Sequence, residues 1–391
     1  MKITHVITRL IVGGAQENTL ACVRGLSSRP GWDVRLISGP TSGAEGTLEP
    51  LAAELDDRFI RVPELVRPLH PLKDWMAWAR LVRLFRAHGP DLVHTHSGKA
   101  GFLGRLAARR AGVRWIVHTI HGPSFGPFQG AASNSLYRAA ERVAGRVTTH
   151  FVSVAQAMTD AYLAAGIGRP DQYTCIYSGF PLEPFLAAGA QGGDRARWGL
   201  RAGDIVIGKI ARLFRLKGHD DLLAVAPALA ERHPRARFLL VGDGPWRARL
   251  ERDARRLGLA ERFVFAGLVP PSEMPALLGA MDVVVHLSRR EGLPRVLPQA
   301  LAAGRPVVAY DCDGAREVCR DGETGFLVAP GDRARLLDRL EMLAEDAALR
   351  RRMGDQGRTW VQPRFSEEKM VLDLAALYER LAKAGPGSRA A

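Results

Sequence analysis

Short hydrophobic runs alternate with longer segments of helical periodicity along almost the whole chain. This order is typical of repeated strand–helix–strand units, in which helices cover both faces of a parallel β-sheet. The predicted strands of the first half are Ile3 to Thr8, Asp33 to Ser38, Arg58 to Val62, Leu92 to Thr95, Trp115 to Thr119, Thr148 to Val154 and Tyr173 to Tyr177. Those of the second half are Ile205 to Ala211, Phe238 to Val241, Phe263 to Ala266, Val283 to Leu287, Pro306 to Tyr310 and Gly325 to Val328. We therefore expect two similar α/β sheets.

A segment of small residues separates the two series of strands. Residues 187–194 read AAGAQGGD and have no hydrophobic period, as expected of a linker. Since 391 residues exceed what one core usually serves, we predict a first domain over residues 1–186 and a second over residues 195–365. Residues 366–384 begin with Ser366, Glu367 and Glu368 and continue with helical periodicity, so they predict a capped helix. We expect residues 385–391 to be disordered.

The composition is that of a globular protein with an excess of positive charge. Hydrophobic residues make up 47% and charged residues 25%, which excludes a disordered, collagen-like or coiled-coil chain. The net charge of +14 points to polyanionic partners: phosphorylated ligands, anionic lipid or nucleic acid. The basic excess is concentrated between Arg58 and Arg114. The 4 cysteines lack metal-ligand spacing, and we recognise neither a signal peptide nor a membrane-spanning run, so we expect a cytoplasmic protein.

Glycines follow the first predicted strand. Ligands of open parallel sheets bind beyond the carboxyl ends of the strands, and Gly13 and Gly14 stand there, directly before a predicted helix. Two interpretations are equally open: a tight strand-to-helix turn, or a close approach of backbone N–H groups to an anion. The full G-x-G-x-x-G fingerprint is absent, which argues against a dehydrogenase.

Charged residues follow two strands of the second half. Arg212 and Lys217 come after Ile205 to Ala211 and offer permanent cations for a diphosphate, whereas an isolated pair of this kind would be ordinary solvated surface. Glu291 follows Val283 to Leu287 and can either cap the next helix or accept hydrogen bonds from sugar hydroxyls. Gln299 lies about two helical turns further on, near the same face.

Seven motifs in the correct order make the chain similar to the family 4 glycosyltransferases. The motifs are GGAQENT at 13–19, HTHSGKAGFLGRLAA at 94–108, HTIHG at 118–122, ARLFRLKGHDDLL at 211–223, VGDGP at 241–245, EGLPRVLPQALAAGRPVVA at 291–309 and GAREVCRDGETGFLV at 314–328. The resemblance covers nearly the whole chain. It implies a GT-B fold, in which two Rossmann-like domains face a cleft, and a helix after residue 365 that crosses back to the first domain.

The resemblance also implies donor-binding roles. The first domain would bind the acceptor, and the second would bind a nucleotide-diphosphate sugar linked to UDP, GDP or ADP. Gly13 and Gly14 would place backbone against the donor phosphate. Arg212 and Lys217 would neutralise the diphosphate, and Glu291 would hold hydroxyls of the transferred sugar.

The remaining predicted contacts follow from the same resemblance. His121 stands at the family's histidine position and would approach the reacting centre. Gly292 and Leu293 would contribute to the phosphate site, and backbone near Leu268 would contact the base. The family usually has Glu where this chain has Gln299, so we expect altered donor affinity, because an amide still pairs with ribose hydroxyls.

The implied chemistry is sugar transfer with retention at the anomeric carbon. Fixed donors stabilise charge on the leaving diphosphate, and the acceptor attacks on the leaving-group face without a protein nucleophile. We predict no essential cofactor and no metal site. Asp311-Cys312-Asp313 matches the D-x-D metal motif of another fold only formally, and we interpret His94, His96 and His118 as lining of the core or the cleft.

A predicted helix in the basic segment has two interpretations. Trp75, Met76 and Trp78 share it with Arg80 and Arg83, as in helices that dock on anionic lipid. An ordinary amphipathic helix packed on the sheet would show the same pattern. The family commonly works in polysaccharide, lipopolysaccharide or glycolipid assembly, so we expect a sugar or lipid-linked acceptor. The first interpretation would then place the protein peripherally on the inner face of the cytoplasmic membrane.

Two other functions remain as alternatives. A nucleotide-sugar epimerase shares the GT-B fold, but the ordered transferase motifs argue against it. A nucleic-acid-binding protein would explain the net charge of +14, yet the chain has no basic tail, zinc finger or RNA-binding aromatic motif. We therefore expect no nucleic-acid partner.

Overall fold

The chain forms two compact α/β units. The computed structural model describes residues 1–42, 46–126, 128–191 and 193–384. Unit 1 comprises residues 1–180 together with the segment that starts at Glu367, and unit 2 comprises Pro181–Ser366. The predicted disordered tail, residues 385–391, lies outside the described residues.

Unit 1 is a parallel sheet covered by helices on both faces. Its strands follow the order β3-β2-β1-β4-β5-β6-β7. The strands are β1 (Lys2–Ile7), β2 (Asp33–Ser38), β3 (Phe59–Arg61), β4 (Leu92–His96), β5 (Trp115–Ile120), β6 (His150–Ser153) and β7 (Tyr173–Cys175). The helices before residue 181 are α1 (Gly14–Ser27), α2 (Glu49–Ala53), α3 (Pro71–His88), α4 (Gly98–Ala111), α5 (Ala131–Gly145) and α6 (Gln156–Ala164). Strand order reverses direction between β1 and β4, which is where ligands of such sheets bind.

The last helix of the described residues completes the core of unit 1. Helix α15 (Glu367–Lys383) buries Met370, Leu374 and Tyr378 in the same hydrophobic cluster as Leu26 of α1. The helices approach closely because Gly25 has no side chain: a Cβ there would lie 2.6 Å from a methyl carbon of Val371. Each large apolar side chain buried here contributes about 1.5–3 kcal/mol.

Unit 2 repeats the architecture with one strand fewer. Its parallel sheet has the order β10-β9-β8-β11-β12-β13. The strands are β8 (Ile205–Ile210), β9 (Ala236–Val241), β10 (Phe263–Gly267), β11 (Val283–His286), β12 (Val307–Tyr310) and β13 (Gly325–Val328). The helices are α7 (Glu183–Gln191), α8 (His219–Arg232), α9 (Arg247–Arg256), α10 (Met274–Gly279), α11 (Val296–Ala302), α12 (Ala315–Val318), α13 (Arg333–Glu345) and α14 (Ala347–Val361). The predicted pair of parallel-sheet domains is therefore confirmed.

The predicted linker over residues 187–194 differs from the structure. Helix α7 covers residues 187–191, and the units divide between Phe180 and Pro181. The small residues of this segment serve close packing within unit 2: a Cβ on Gly189 would lie 2.6 Å from the carbonyl oxygen of Ala303, and one on Gly193 would lie 2.2 Å from that of Ala276. Composition alone does not distinguish small residues that give flexibility from small residues that permit contact.

Within the described ranges, the helices are all too short or too polar to cross a lipid bilayer.

Candidate functional site

The loop after β8 presents two cations around an aromatic ring. The guanidinium carbon of Arg212 lies 4.9 Å from the centre of the Phe214 ring, and Lys217 Nζ lies 5.8 Å from it. A short 3-10 turn over Arg215–Lys217 leads to Gly218, which has a φ of 65°. A side chain is excluded at Gly218, because its Cβ would lie 2.1 Å from the carbonyl oxygen of Leu287. The loop thus brings Lys217 next to the end of β11.

Lys217 and Glu291 form an ion pair between the loops after β8 and β11. His286 Nε2 lies 3.5 Å from the same carboxylate oxygen, Oε1 of Glu291. Burial raises the pKa of Glu291, but the Lys217 ammonium and the neighbouring His286 together outweigh it and hold that pKa well below its usual range. Glu291 is therefore a carboxylate at neutral pH, an acceptor of hydrogen bonds from hydroxyl groups.

Asp313 fixes the backbone at Glu291. The Glu291 N–H donates to Asp313 Oδ2 at 2.6 Å. The first aspartate of the D-x-D match, Asp311, accepts a hydrogen bond from Arg316 Nε at 2.8 Å. Both carboxylates of the formal metal motif thus bind groups of the protein. Asp313 holds the backbone of the loop at Glu291, and Asp311 pairs with Arg316.

The other predicted donor contacts take different positions. Gly292 and Leu293 are buried in the loop that links β11 to α11. Helix α11 begins at Val296, so the stretch directly after Glu291 is a loop. Gln299 is half-buried on α11. Leu268 is 56% exposed after β10, at the sheet edge, and the strand order separates it from the Lys217–Glu291 pair.

Sequence reasoning missed Lys209, a buried lysine near Lys217 and Glu291. Lys209 lies on β8 and is 1% exposed. Burial and the nearby Lys217 ammonium lower its pKa to about 7. A lysine inside the otherwise apolar strand IVIGKI is the sequence signal that could have identified it.

In unit 1, the two predicted glycines form the turn between β1 and α1. Helix α1 begins at Gly14, and the Gly13 carbonyl accepts hydrogen bonds from the N–H groups of Gln16 and Glu17, at 3.1 and 2.9 Å. Gly13 itself has extended backbone, with a φ of 171°. The glycines therefore start a helix at the carboxyl end of the central strand.

His121 follows β5 and contacts the end of β4. Its Nε2 lies 3.1 Å from Nδ1 of His96, which is buried. His96 in turn lies 2.9 Å, through Nε2, from Nδ1 of His5 on β1. His94 contacts Tyr378 of α15 and Thr119, whereas His118 pairs with Thr95.

These contacts refine the prediction that His94, His96 and His118 line the core or the cleft. All three are buried, but His94 and His96 join His5 in one group, and His118 stands outside it. Sequence reasoning missed His5 and Tyr378. His94 and His96 occupy alternating positions of β4, and His5 lies on the adjacent strand β1, a pattern that could have indicated His5. No local signal marks Tyr378.

A cavity of about 630 Å³ lies within unit 1 at the carboxyl ends of its strands. Residues from separate elements line it, among them Arg9, Ser97, Ser124, Leu136 and Tyr137. Their mixture of hydroxyl, aromatic and aliphatic groups suits an amphipathic ligand.

Two family models together match most of the chain. The model described as "Glycosyl transferase 4-like domain" matches residues 13–179, and that described as "Glycosyl transferases group 1" matches residues 191–360. The chain belongs to the group 1 glycosyltransferases. This glycosyltransferase is 28% identical to an Escherichia coli relative over 89% of each chain, the UDP-Gal:alpha-D-GlcNAc-diphosphoundecaprenol alpha-1,3-galactosyltransferase.

A second relative uses another nucleotide by its name. It is a GDP-mannose-dependent alpha-(1-6)-phosphatidylinositol monomannoside mannosyltransferase from Mycolicibacterium smegmatis, and the two sequences are 32% identical. The match covers 72% of this chain and 74% of the relative. Both relatives are named as transferases and neither is named as an epimerase. The family expectation from the motifs is therefore confirmed.

A solved structure shares the fold over nearly its whole length. Anabaena HepE, crystallised with UDP and glucose, superposes with a TM-score of 0.82 at 25% identity, covering 97% of this chain and 99% of HepE. The glycosyltransferase accordingly has the GT-B type of fold, with two Rossmann-like units.

Proposed function

We propose that this glycosyltransferase moves a sugar from a nucleotide-diphosphate donor, held by unit 2, to a hydroxyl of a sugar or lipid-linked acceptor held by unit 1, with retention at the anomeric carbon. The observation that carries this proposal is the Lys217–Glu291 pair, with Arg212 and Lys217 both lying against the Phe214 ring. It offers cations for a diphosphate and an ionised carboxylate for sugar hydroxyls, side by side.

The proposed step breaks the bond between the anomeric carbon and the donor's phosphate oxygen. The electron pair of that bond goes to the departing nucleoside diphosphate, whose charge Arg212 and Lys217 stabilise. The acceptor hydroxyl attacks from the same face, and its proton passes to the departing phosphate oxygen. In this step Glu291 orients the sugar through its hydroxyls, and we expect His121 to act near the reacting carbon.

Two observations support a lipid-linked acceptor and work at a membrane surface. The acceptors in the names of the two relatives are a diphosphate-linked lipid and a phosphatidylinositol derivative. Near the start of α3 and just before it, Leu69, Leu72 and Trp75 are 70%, 63% and 62% exposed, while the other face of α3 packs on the sheet. The packed face of α3 fits an ordinary amphipathic helix, and the exposed apolar side chains near its start support the membrane-docking interpretation.

Polysaccharide or glycolipid assembly on the inner face of the membrane is the setting we propose. The basic residues on α3, such as Lys73 and Arg83, suit anionic headgroups beside the exposed apolar side chains. Sedimentation with anionic liposomes at low salt tests this part: folded protein that stays in the supernatant contradicts it.

The donor is tested by thermal unfolding with UDP, GDP, ADP and their sugar conjugates. A ligand that binds only the folded protein raises its melting temperature. We expect one nucleotide to raise it clearly, and that sugar conjugate to yield free nucleoside diphosphate when acceptor is present. A folded protein that none of the nucleotides stabilises contradicts the proposal.

A further inference from the structure

A continuous chain of hydrogen bonds runs from His121 into the core of unit 1. His121 Nε2 faces His96 Nδ1 at 3.1 Å, and His96 Nε2 faces His5 Nδ1 at 2.9 Å. His5 Nε2 faces the Tyr378 hydroxyl at 3.5 Å, and that hydroxyl also contacts His94 Nδ1. The chain ends with His94 Nε2 at 2.6 Å from Thr119 Oγ1.

The protons in this chain cannot be placed independently. A neutral imidazole has one N–H donor and one acceptor nitrogen, and His5, His94 and His96 each use both ring nitrogens. From His121 through His96 to His5, if one link reverses its direction the next must reverse as well, so His121 Nε2 either donates to His96 or accepts from it. The direction is set where the histidines meet Tyr378, because its hydroxyl carries one proton and can donate to only one of His5 and His94.

The surroundings keep the rings neutral. Burial lowers the pKa of His5 to about 3 and holds those of His94 and His96 well below the usual value. The groups that face these rings from other elements are His118 of β5, His121 and Tyr378, and Arg105 of α4 faces His118. Cys22 of α1 faces Tyr378.

This arrangement does not fit a metal site. His5, His94 and His96 carry ring nitrogens close enough to one another for a shared ion. However, His5 Nδ1 and His96 Nε2 face each other at hydrogen-bond distance, and the other nitrogen of each ring already has a partner. The group serves as a hydrogen-bonded chain.

We infer that His96, His5 and Tyr378 are positioning residues that fix the tautomer and the ring orientation of His121. This inference rests on the proposed place of His121 at the reacting centre. It goes beyond that proposal because it makes the C-terminal helix part of the active site: Tyr378, far away in sequence, decides the protonation pattern of a ring that follows β5.

Nuclear magnetic resonance of the full chain with 15N-labelled histidine rings tests the inference directly. The ring 15N shifts distinguish a protonated from an unprotonated nitrogen. We expect a single tautomer for His121 in the parent protein and a mixture of tautomers in His96→Phe and Tyr378→Phe. An unchanged His121 ring in either variant overturns the assignment of the residue replaced. This readout needs no turnover, so it remains decisive even if His121→Ala proves fully active and the proposed role of His121 fails.

Kinetics give the second readout. We expect kcat of His96→Phe to fall about tenfold, the loss of one buried hydrogen bond, with an unchanged donor KM and an altered pH profile of kcat. His96→Asn keeps a polar atom facing His121 and should recover most of that loss. His150→Phe is the matched control, because His150 is buried in the same sheet and bonds Thr174 at 2.8 Å outside the chain. Equal losses in His96→Phe and His150→Phe would show a merely structural role and overturn the inference.

Discussion

The candidate groups of the two units use opposite electrostatics at equivalent places, the carboxyl ends of parallel strands. In unit 2 the groups are permanent charges, with Lys217 paired to Glu291 and Arg212 stacked nearby. In unit 1 the buried rings of His5, His94 and His96 are neutral, and hydrogen bonds connect them to His121.

The difference matches what each unit would bind. A diphosphate carries charge before and after the reaction, so fixed cations stabilise it throughout. A hydroxyl near a reacting carbon is neutral, and a neutral imidazole can donate or accept towards it without the cost of burying a charge. One fold therefore supports two kinds of site because the side chains at the strand ends differ.

Removal of the charged pair should have the largest effect. We expect Lys217→Ala to reduce transfer by about 100- to 1000-fold, because the leaving diphosphate loses a fixed cation and Glu291 loses its partner. Arg212→Ala and Glu291→Ala should also reduce transfer strongly. Arg215→Ala is the control, since Arg215 is exposed in the same turn. Near-normal turnover of all three site variants in folded protein would contradict the site assignment.

Acid should destabilise unit 1 before unit 2. The pKa values of His5, His94, His96, His118 and His150 are all lowered in the folded unit 1. Below pH 6.5 the unfolded chain binds protons that the folded chain excludes, so the free energy of unfolding decreases as the pH is lowered. For His5 alone the loss is about 2 kcal/mol at pH 5.

Pulse proteolysis at pH 7 and pH 5, read by mass spectrometry, measures this difference. In unit 2 burial lowers the pKa values of His219 and His286, so that unit should lose less stability. Cleavage of unit 2 before unit 1 at pH 5 would show that the neutral chain does not govern acid stability.

Binding to anionic liposomes should depend on the exposed apolar patch of unit 1, which lies just before and within α3. We expect the double variant Leu72→Ser and Trp75→Ser to bind anionic liposomes about tenfold more weakly, since each side chain loses part of its burial in lipid. Leu257→Ser is the control, because Leu257 is 41% exposed on unit 2. The melting temperature should stay unchanged in both, and equal liposome binding of the double variant and the parent would rule out this patch.

The smallest expected effect sharpens the charged site. Gln299→Glu should lower the donor Kd about fivefold, because hydrogen bonds to a charged group are about 1 kcal/mol stronger than neutral ones. Isothermal titration with the stabilising nucleotide measures it. Gln356→Glu, an exposed change on α14, adds the same charge elsewhere in unit 2 and should leave the Kd unaltered. A higher Kd in Gln299→Glu would mean that this side chain does not face the ribose.

Much of the fold could be read from local pattern. Strand Gly325–Val328 has the predicted bounds, because a buried parallel strand is a continuous apolar run between turns. The linker prediction also rests on local pattern, and there it is wrong. AAGAQGGD lacks a hydrophobic period, yet Gly189 and Gly193 lie against the backbone of unit 2. A contact partner distant in sequence leaves no local period.

The candidate groups divide in the same way. Arg212, Lys217 and Glu291 follow strands and carry charge, so position and residue type were enough to single them out. His5 and Lys209 interrupt apolar strands, but only the folded sheet shows what they face.

The sequence by itself determined the two α/β sheets, the family and the residues after each strand that carry charge, because all of these depend on local order and residue type. Only the tertiary structure decided that Lys217 pairs with Glu291, that His96 links His121 to His5, and that Tyr378 of α15 contacts His94. These pairs join strands and a helix that are distant in sequence. Their contacts arise from the order in which the strands lie in the sheet, which the local pattern does not encode.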